Sequence, residues 1–414
     1  MPTFKQILLY RRRIDGWLVT AAAATFPLYV SVAVVVACLF GGAGLYVVLS
    51  SRSRLRRHLW SWNGLISVYA LFSVALIAWR GEFETGNRQL GFMLLLLALS
   101  FITPGLCLVQ RPLRHIVLGA RIGICCAVLL ALFAAIQAGS LAERYDGHGN
   151  AAIVAFLIAL AAAIGTIRLK APPRFLPNGL MYLLLACFPI FLTQTRAVLI
   201  VMPVLCLVEF LMCSLDWRPR LRNRAYVAAA IGIVLMLLLP PVQTMLMERF
   251  VNVYEYYVAG APDPDMKSGD IRLVMWQSAV AVIRQHLLTG VGLMDMFTEM
   301  KAVAGPASPM LDGFKHPHNV VLQELLANGV LGLCFMLAIL VGHLRAVIAS
   351  GLDDSTKRGV LYVAFTVAAF GMLHDPFYHE LCMSTIMLFS CSTMAQVQRL
   401  RLLTPQAQKR KHPA

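Results

Sequence analysis

The feature that most constrains this chain is a long succession of apolar segments separated by short polar ones. A transmembrane helix needs about 20 mostly apolar residues, and about 12 segments approach that length. They are residues 17–30, 31–50, 60–79, 91–109, 116–138, 151–167, 179–193, 197–215, 225–242, 320–344, 360–373 and 381–397. Only 14% of the residues are charged, against about a quarter in soluble proteins. We therefore predict an all-α, polytopic membrane protein with about 12 transmembrane helices.

The positive charges indicate how these helices cross the membrane. A formal net charge of +16 also fits a nucleic-acid-binding protein, but most lysines and arginines lie in short loops between apolar segments. Cytoplasmic loops are enriched in these residues, and the alternation is consistent if both termini are cytoplasmic. The predicted regions are transmembrane helices at 1–242, an outer loop at 243–319, further transmembrane helices at 320–397 and a basic cytoplasmic tail at 398–414. No nucleic-acid partner is predicted.

The outer loop is the longest polar segment of the chain, and loops above about 15 residues are usually functional. Apolar residues recur at helical spacing from Asp270 to His286, and a Gly-Val-Gly sequence follows at 290–292. We therefore expect amphipathic helices that lie on the outer face of the membrane rather than a separate globular domain.

Two histidines end this loop. His316 and His318 flank a proline immediately before an apolar segment. An imidazole can take a proton from an attacking hydroxyl, although a histidine in such a place is often structural. A metal site needs a third ligand, which His374 or His379 could supply from the same face, but there is no HExxH motif and the ten cysteines lie in apolar segments. We predict neither a metal nor another cofactor.

Arginines on the same predicted face indicate an anionic ligand. Arg196 lies in a short turn between two apolar segments, and Arg272 lies in the amphipathic element. Because guanidinium groups bind phosphate in a bidentate manner, a lipid diphosphate is the natural ligand. Arg80, at the end of a predicted span, is a further candidate. Each of these cations could instead anchor a helix at the membrane surface or lie on a solvated face.

The residues that follow His318 resemble a family signature. His318 and Asn319, followed by Leu322, Gly329 and Gly332, are similar to the H-N-x-x-L…G-x-x-G pattern of the O-antigen ligase and polymerase superfamily. The members of this superfamily are bacterial membrane glycosyltransferases.

Two earlier segments resemble further motifs of the same superfamily. Arg272, Trp276 and the sequence at 290–292 resemble its R-x-x-x-W…G-x-G segment. The turn at 193–196 resembles its S-x-S-R motif, with threonines in place of the serines. The motif resemblance covers residues 179–332.

The resemblance implies an inverting, metal-independent glycosyltransferase with a GT-C-like fold. Such an O-antigen ligase moves a polysaccharide from undecaprenyl diphosphate to the lipid A-core oligosaccharide, at the periplasmic face of a Gram-negative inner membrane. It implies that His318 is the general base and that Arg196 and Arg272 bind the leaving diphosphate. The candidates for acceptor contacts or for support of the site are His316, Asn319, Asp375 and Trp276.

Other functions stay open from the sequence. An O-antigen or exopolysaccharide polymerase, or a protein O-oligosaccharyltransferase, would share the same histidine and arginines and differ in the acceptor. A transporter or flippase of lipid-linked glycans would need charged residues along its spans, for which Arg121 and Glu209 are the candidates.

Overall fold

The structure, a computed structural model, describes residues 15–83, 87–140, 143–147, 149–215, 218–224, 227 and 268–411, without the side chains of residues 196, 268–270 and 402–411. The regular elements of these residues are helices, which confirms the all-α class. In chain order they are α1 (15–24), α2 (Val32–Leu49), α3 (Arg52–Leu59), α4 (Trp62–Arg80), α5 (Arg88–Leu99), α6 (Ile102–Leu106), α7 (Pro112–Ala138), α8 (Ala151–Gly165), α9 (Met181–Thr193), α10 (Arg196–Ser214), α11 (Ser268–Gln285), α12 (Met296–Ala304), α13 (Val320–Ile348), α14 (Asp354–Gly371) and α15 (Glu380–Lys411).

Several of these helices are long and apolar enough to cross a membrane. Among the described residues there are six: Val32–Leu49, Trp62–Arg80, Arg88–Leu106, Pro112–Ala138, Ala197–Ser214 and Val320–Ile348. The helices Ala151–Gly165 and Met181–Thr193 are apolar but shorter. A membrane protein is therefore supported, while the count of about 12 spans stays a prediction. The predicted span 225–242 lies almost entirely outside the described residues, and the outer loop is described from residue 268 onward.

The centre of the bundle is α8. Its residues are apolar around the whole circumference, and nearly all of them are buried. A helix that is apolar on every side is stable only when other helices surround it, and here α7, α9 and α14 pack against it. The N-terminus of this buried helix therefore has a fixed position beside the site described below.

The two charged residues considered for a transport pathway have structural partners. The guanidinium of Arg121 donates hydrogen bonds to the carbonyl oxygens of Gly165, Ile167 and Leu176 at 2.9, 2.7 and 3.0 Å. It thereby satisfies backbone groups that follow the end of α8. Glu209 lies 3.5 Å from Arg358 and accepts a hydrogen bond from a tyrosine hydroxyl at 2.9 Å. Both residues join helices to one another.

The amphipathic helix predicted in the outer loop coincides with α11. Its buried residues Met275, Ala279 and Val282 pack with Met300 of α12 and Leu326 of α13 in one apolar cluster. The predicted domain boundaries, including those of the outer loop, stay predictions. The cluster joins the loop helices to α13, which carries the site.

The helix α13 is broken at Gly329, whose φ of 69° and ψ of −167° are not helical. A loop that precedes α12 fills the break. Val330 donates its backbone N–H to the carbonyl of Leu287 at 2.8 Å, and Val291 donates to the carbonyl of Leu326 at 2.7 Å. Backbone groups freed by a break in a membrane helix must be satisfied within the protein. The glycines at 290–292 and Gly329, which belong to two of the predicted motifs, therefore form one junction between this loop and α13.

Arg80 completes the junction. Its Nη2 donates hydrogen bonds to the carbonyl oxygens of Gly290 and Ala327 at 3.3 and 3.1 Å, and a further one to Thr289. Glu82 lies 3.9 Å from the same guanidinium. Arg80 thus ties the last residues before the break to the loop that fills it.

Candidate active site

A polar cavity of about 360 Å³ lies where the start of α5, the N-terminus of α8, the turn before α13 and the loop before α15 meet. Its polar lining consists of Arg88, Asn150, Lys315, His316, His318, Gln323, His374, Asp375 and His379. The residues come from distant parts of the chain, so the fold alone brings them together. The cavity is the candidate active site.

The histidine turn is held in place by residues of two predicted motifs. Trp276 of α11 donates its indole N–H to the backbone carbonyl of Pro317 at 2.9 Å. The side-chain oxygen of Asn319 accepts hydrogen bonds from the N–H groups of Val321 and Leu322 at 3.0 and 3.1 Å and caps α13. His318 has a φ of 53°, in the left-handed region. A backbone in this region persists only where its surroundings fix it, and the two contacts do so here.

Three imidazole rings converge in the cavity. The ring centres of His316 and His318 are 4.3 Å apart, and His374 lies 5.0 Å from the first and 5.4 Å from the second. His374 reaches the group from the loop after α14, where it stacks on Phe370 at 5.0 Å. His374 was predicted on the same face of the membrane as the other two histidines, and the fold makes it their direct neighbour.

Burial keeps these imidazoles neutral. Burial and the charge of Arg88 lower the pKa of His316 to about 4. Burial, the neighbouring His316 and the charge of Arg272 lower the pKa of His318 to about 4. The pKa of His374 is lowered to about 3, mainly by burial. At neutral pH each ring is therefore unprotonated at one nitrogen and can accept a proton.

Two arginines act on the histidines through their charge. Arg272 lies within electrostatic range of His318 and His374 and contributes to their lowered pKa values, after burial and the neighbouring histidines. Arg88, the first residue of α5, lines the cavity from another side and acts on His316 and Asp375. A cavity lined by Arg88 and Lys315, with the charge of Arg272 within range, favours an anionic ligand.

The turn that carries Arg196 lies next to the same cavity. The Thr195 hydroxyl donates to the carbonyl of Ala151 at 3.3 Å, and the neighbouring residues Asn150 and Ile153 line the cavity. Gln194 ends α9 with a φ of 54°, and α10 begins at Arg196. The side chain of Arg196 lies outside the described residues, so its role as a diphosphate ligand stays a prediction.

Asp375 is buried in the wall of the cavity. Burial raises its pKa to about 7, although its carboxylate accepts the N–H of Phe377 at 3.1 Å. A carboxyl group with such a pKa exchanges a proton near neutral pH. Its predicted function as an acceptor contact or a supporting residue is untested, and its place in the cavity wall fits both.

Beneath the cavity, a buried network links the helices to the junction at Gly329. Glu324 accepts hydrogen bonds from Tyr69 and Asn328, both at 2.9 Å. Gln89 donates to Asn328 at 2.9 Å and accepts the N–H of Leu293 at 2.8 Å. These contacts connect α4 and α5 to α13 and to the loop that fills the break. They fix the first half of α13, on which the histidine turn rests.

Arg88 was not predicted from the sequence. The signal was present, because the short polar segment between the predicted spans 60–79 and 91–109 contains two arginines. Arg80 was chosen as the diphosphate candidate from its place at the end of a span, whereas its guanidinium contacts backbone carbonyls and Arg88 lines the cavity. The function of Arg80 as a diphosphate ligand stays a prediction, and Arg80 is not among the residues that line the cavity.

Comparison with known proteins identifies the part of the chain that contains the motifs. Residues 180–337 match the family model described as O-antigen ligase. The match spans all the motif residues named above, from the turn before α10 to the break in α13. Comparison with curated proteins gives no significant match. The predicted resemblance is therefore confirmed over residues 180–337, which are similar to the O-antigen ligase family.

Proposed function

We propose that the chain is an inverting, metal-independent O-antigen ligase of GT-C-like architecture. It transfers O-antigen polysaccharide from undecaprenyl diphosphate to a hydroxyl of the lipid A-core oligosaccharide. The active site faces the periplasm, and both termini lie in the cytoplasm. The observation that carries this proposal is the neutral His318 in a cavity that Arg88 lines and that lies within range of the charge of Arg272. This set of groups suits attack by a hydroxyl with a phosphate as the leaving group.

In the proposed reaction the acceptor oxygen attacks the anomeric carbon of the donor sugar. His318 takes the hydroxyl proton as the new carbon–oxygen bond forms. The bond from the anomeric carbon to the diphosphate breaks on the opposite face, and undecaprenyl diphosphate leaves with its electron pair. Arg196 and Arg272 neutralise the negative charge that develops on the diphosphate, a task that a divalent ion performs in other transferases.

The arginines and the base are coupled through charge. In the described structure the positive charge of Arg272 opposes protonation of His318 and lowers its pKa. A bound diphosphate neutralises that charge and so raises the pKa of the imidazole. The base therefore becomes stronger when the donor is bound, which favours transfer to the acceptor only in the complete complex.

Arg88 adds an anion contact that the motifs do not contain. It projects from the first turn of α5, and its guanidinium lies over the ring of Phe92 at 5.7 Å from the ring centre. We assign it to the recognition of an anionic group on the donor or the acceptor.

The test is a comparison of wild type and His318→Ala in a host that lacks its own ligase, with analysis of both lipopolysaccharide and lipid carrier. Loss of a ligase leaves long polymer on the carrier and unsubstituted core on the lipopolysaccharide. Loss of a polymerase leaves core that carries a single repeat. Unchanged glycans in a well-expressed His318→Ala variant would exclude His318 as the base.

A further inference from the structure

The transfer reaction uses one imidazole as a base, but the cavity contains three in contact. One ligand nitrogen from each of His316, His318 and His374 can be chosen so that all three lie within 4.8 Å of one another. Two of these residues share a turn, and the third comes from the loop after α14. This loop is fixed by the stacking of His374 on Phe370.

Two nitrogens of the cluster have unused binding capacity. The Nδ1 atoms of His316 and His318 are buried and have no hydrogen-bond partner among the described residues. Buried polar atoms in folded proteins are almost always paired. Two unpaired imidazole nitrogens side by side therefore point to a ligand that both can contact.

We propose that His316, His318 and His374 bind a divalent cation of the zinc class, and that this cation inhibits the enzyme. Zinc binds neutral imidazole nitrogens, and three protein ligands with one open position are a common arrangement. Bonds of about 2.0–2.1 Å place two tetrahedral ligands about 3.3 Å apart. The cluster, whose ligand atoms lie within 4.8 Å, reaches that spacing by rotation of its side chains.

The cation inhibits the enzyme because one of its ligands is His318, the proposed base. A cation on His318 occupies the lone pair that would accept the proton of the acceptor hydroxyl. The inhibitory effect thus rests on the proposed function of His318 as the base, whereas the binding of the cation does not.

Two features keep the binding reversible. The Nδ1 atom of His374 accepts the backbone N–H of Asp375 at 2.9 Å, so this ring must turn or bind through its other nitrogen. The positive charges of Arg88 and Arg272 also oppose a cation in the cavity. We therefore expect affinity in the micromolar range, well below that of a structural zinc site.

The binding test uses the full-length protein in detergent, purified through a tag without histidine and treated with a chelator. Titration calorimetry with zinc chloride is expected to give one site in the wild type. His374→Ala and His316→Ala should each weaken binding more than about tenfold, because each removes a ligand. The matched control is His286→Ala, an exposed histidine just after α11, which should bind zinc like the wild type. Thermal unfolding identifies any variant that does not fold.

Equal zinc binding by the wild type and both cluster variants would overturn the site, as would no binding by the wild type. The initial rate of ligation is then measured with zinc and after addition of a chelator. We expect a loss of more than about tenfold that the chelator reverses. Binding without inhibition would overturn the blocking effect. A protein that binds zinc as expected but transfers no glycan under any condition would contradict the proposed function and not the metal site.

Discussion

The indole N–H of Trp276 donates a hydrogen bond to the backbone carbonyl of Pro317 at 2.9 Å. The contact joins α11 to the residue between His316 and His318. It gives a physical reason for the tryptophan four residues after Arg272, because the same helix face then presents the arginine and holds the histidine turn.

Removal of this donor by Trp276→Phe should impair catalysis more than folding. The substitution keeps the apolar ring and loses one hydrogen bond, which is worth about 1 kcal/mol of stability. A small displacement of His318 costs up to about a hundredfold in rate, so we expect a loss of about tenfold or more in ligation. Initial rates and thermal unfolding are measured together. Trp79→Phe is the control, since Trp79 is 73% exposed on α4, and an equal loss in both variants would contradict the positioning effect.

Gly329→Ala should prevent correct assembly of the broken helix. A β-carbon at this position would lie 2.2 Å from the carbonyl oxygen of Leu288, and the φ of 69° disfavours any side chain. We expect a destabilisation of at least about 3 kcal/mol, seen as a lower unfolding midpoint or loss of monodisperse protein in detergent. Gly42→Ala is the matched control, because a β-carbon there meets no atom within 4 Å. Similar unfolding midpoints for both variants would show that the junction tolerates a side chain.

Arg88→Gln and Arg80→Gln should have different effects. Arg88 is exposed in the cavity, and loss of a hydrogen bond to a charged group costs about 1.5–3 kcal/mol, or about 10- to 150-fold in kcat/KM. Its unfolding midpoint should stay near that of the wild type. Arg80→Gln removes donors from the carbonyls of Gly290 and Ala327 and should lower the midpoint. If Arg80→Gln instead lowered kcat/KM and Arg88→Gln lowered the unfolding midpoint, Arg80 would be the anion ligand.

The pH dependence of the rate should show the low pKa of the base. His318 has a pKa of about 4, lowered by burial, His316 and Arg272, so the free enzyme loses its base only as pH falls through about 4. In the variant Asp375→Asn, which removes the other cavity group with a pKa near 7, we expect kcat/KM to change by less than about twofold between pH 7 and pH 5. With an imidazole of pKa about 6.5, kcat/KM would instead fall about 25-fold over the same range.

The acid limb of kcat should lie at higher pH than that of kcat/KM, because a bound diphosphate raises the pKa of His318. Initial rates over a range of donor concentrations at each pH separate the two constants. Coincident limbs would contradict the coupling between the donor charge and the base.

The local pattern of residues determined the helical class of the protein and several residues that line the candidate site. The apolar segments predict helices because their length matches the membrane, and α11 was predicted from its apolar spacing. The signature at His318 indicated the family. These features depend on residues close together in the chain, where helical periodicity and turn geometry act directly.

Only the tertiary structure decided which polar groups meet. Arg80 and Arg88 are at the two ends of one short loop. Arg80 contacts the junction at Gly329, whereas Arg88 lines the cavity. The direction in which the chain leaves α4 and enters α5 determines this difference. His374 joins His316 and His318 because α13 and α14 pack side by side. Such contacts depend on how buried helices pack against each other, and no local pattern in the sequence contains that information.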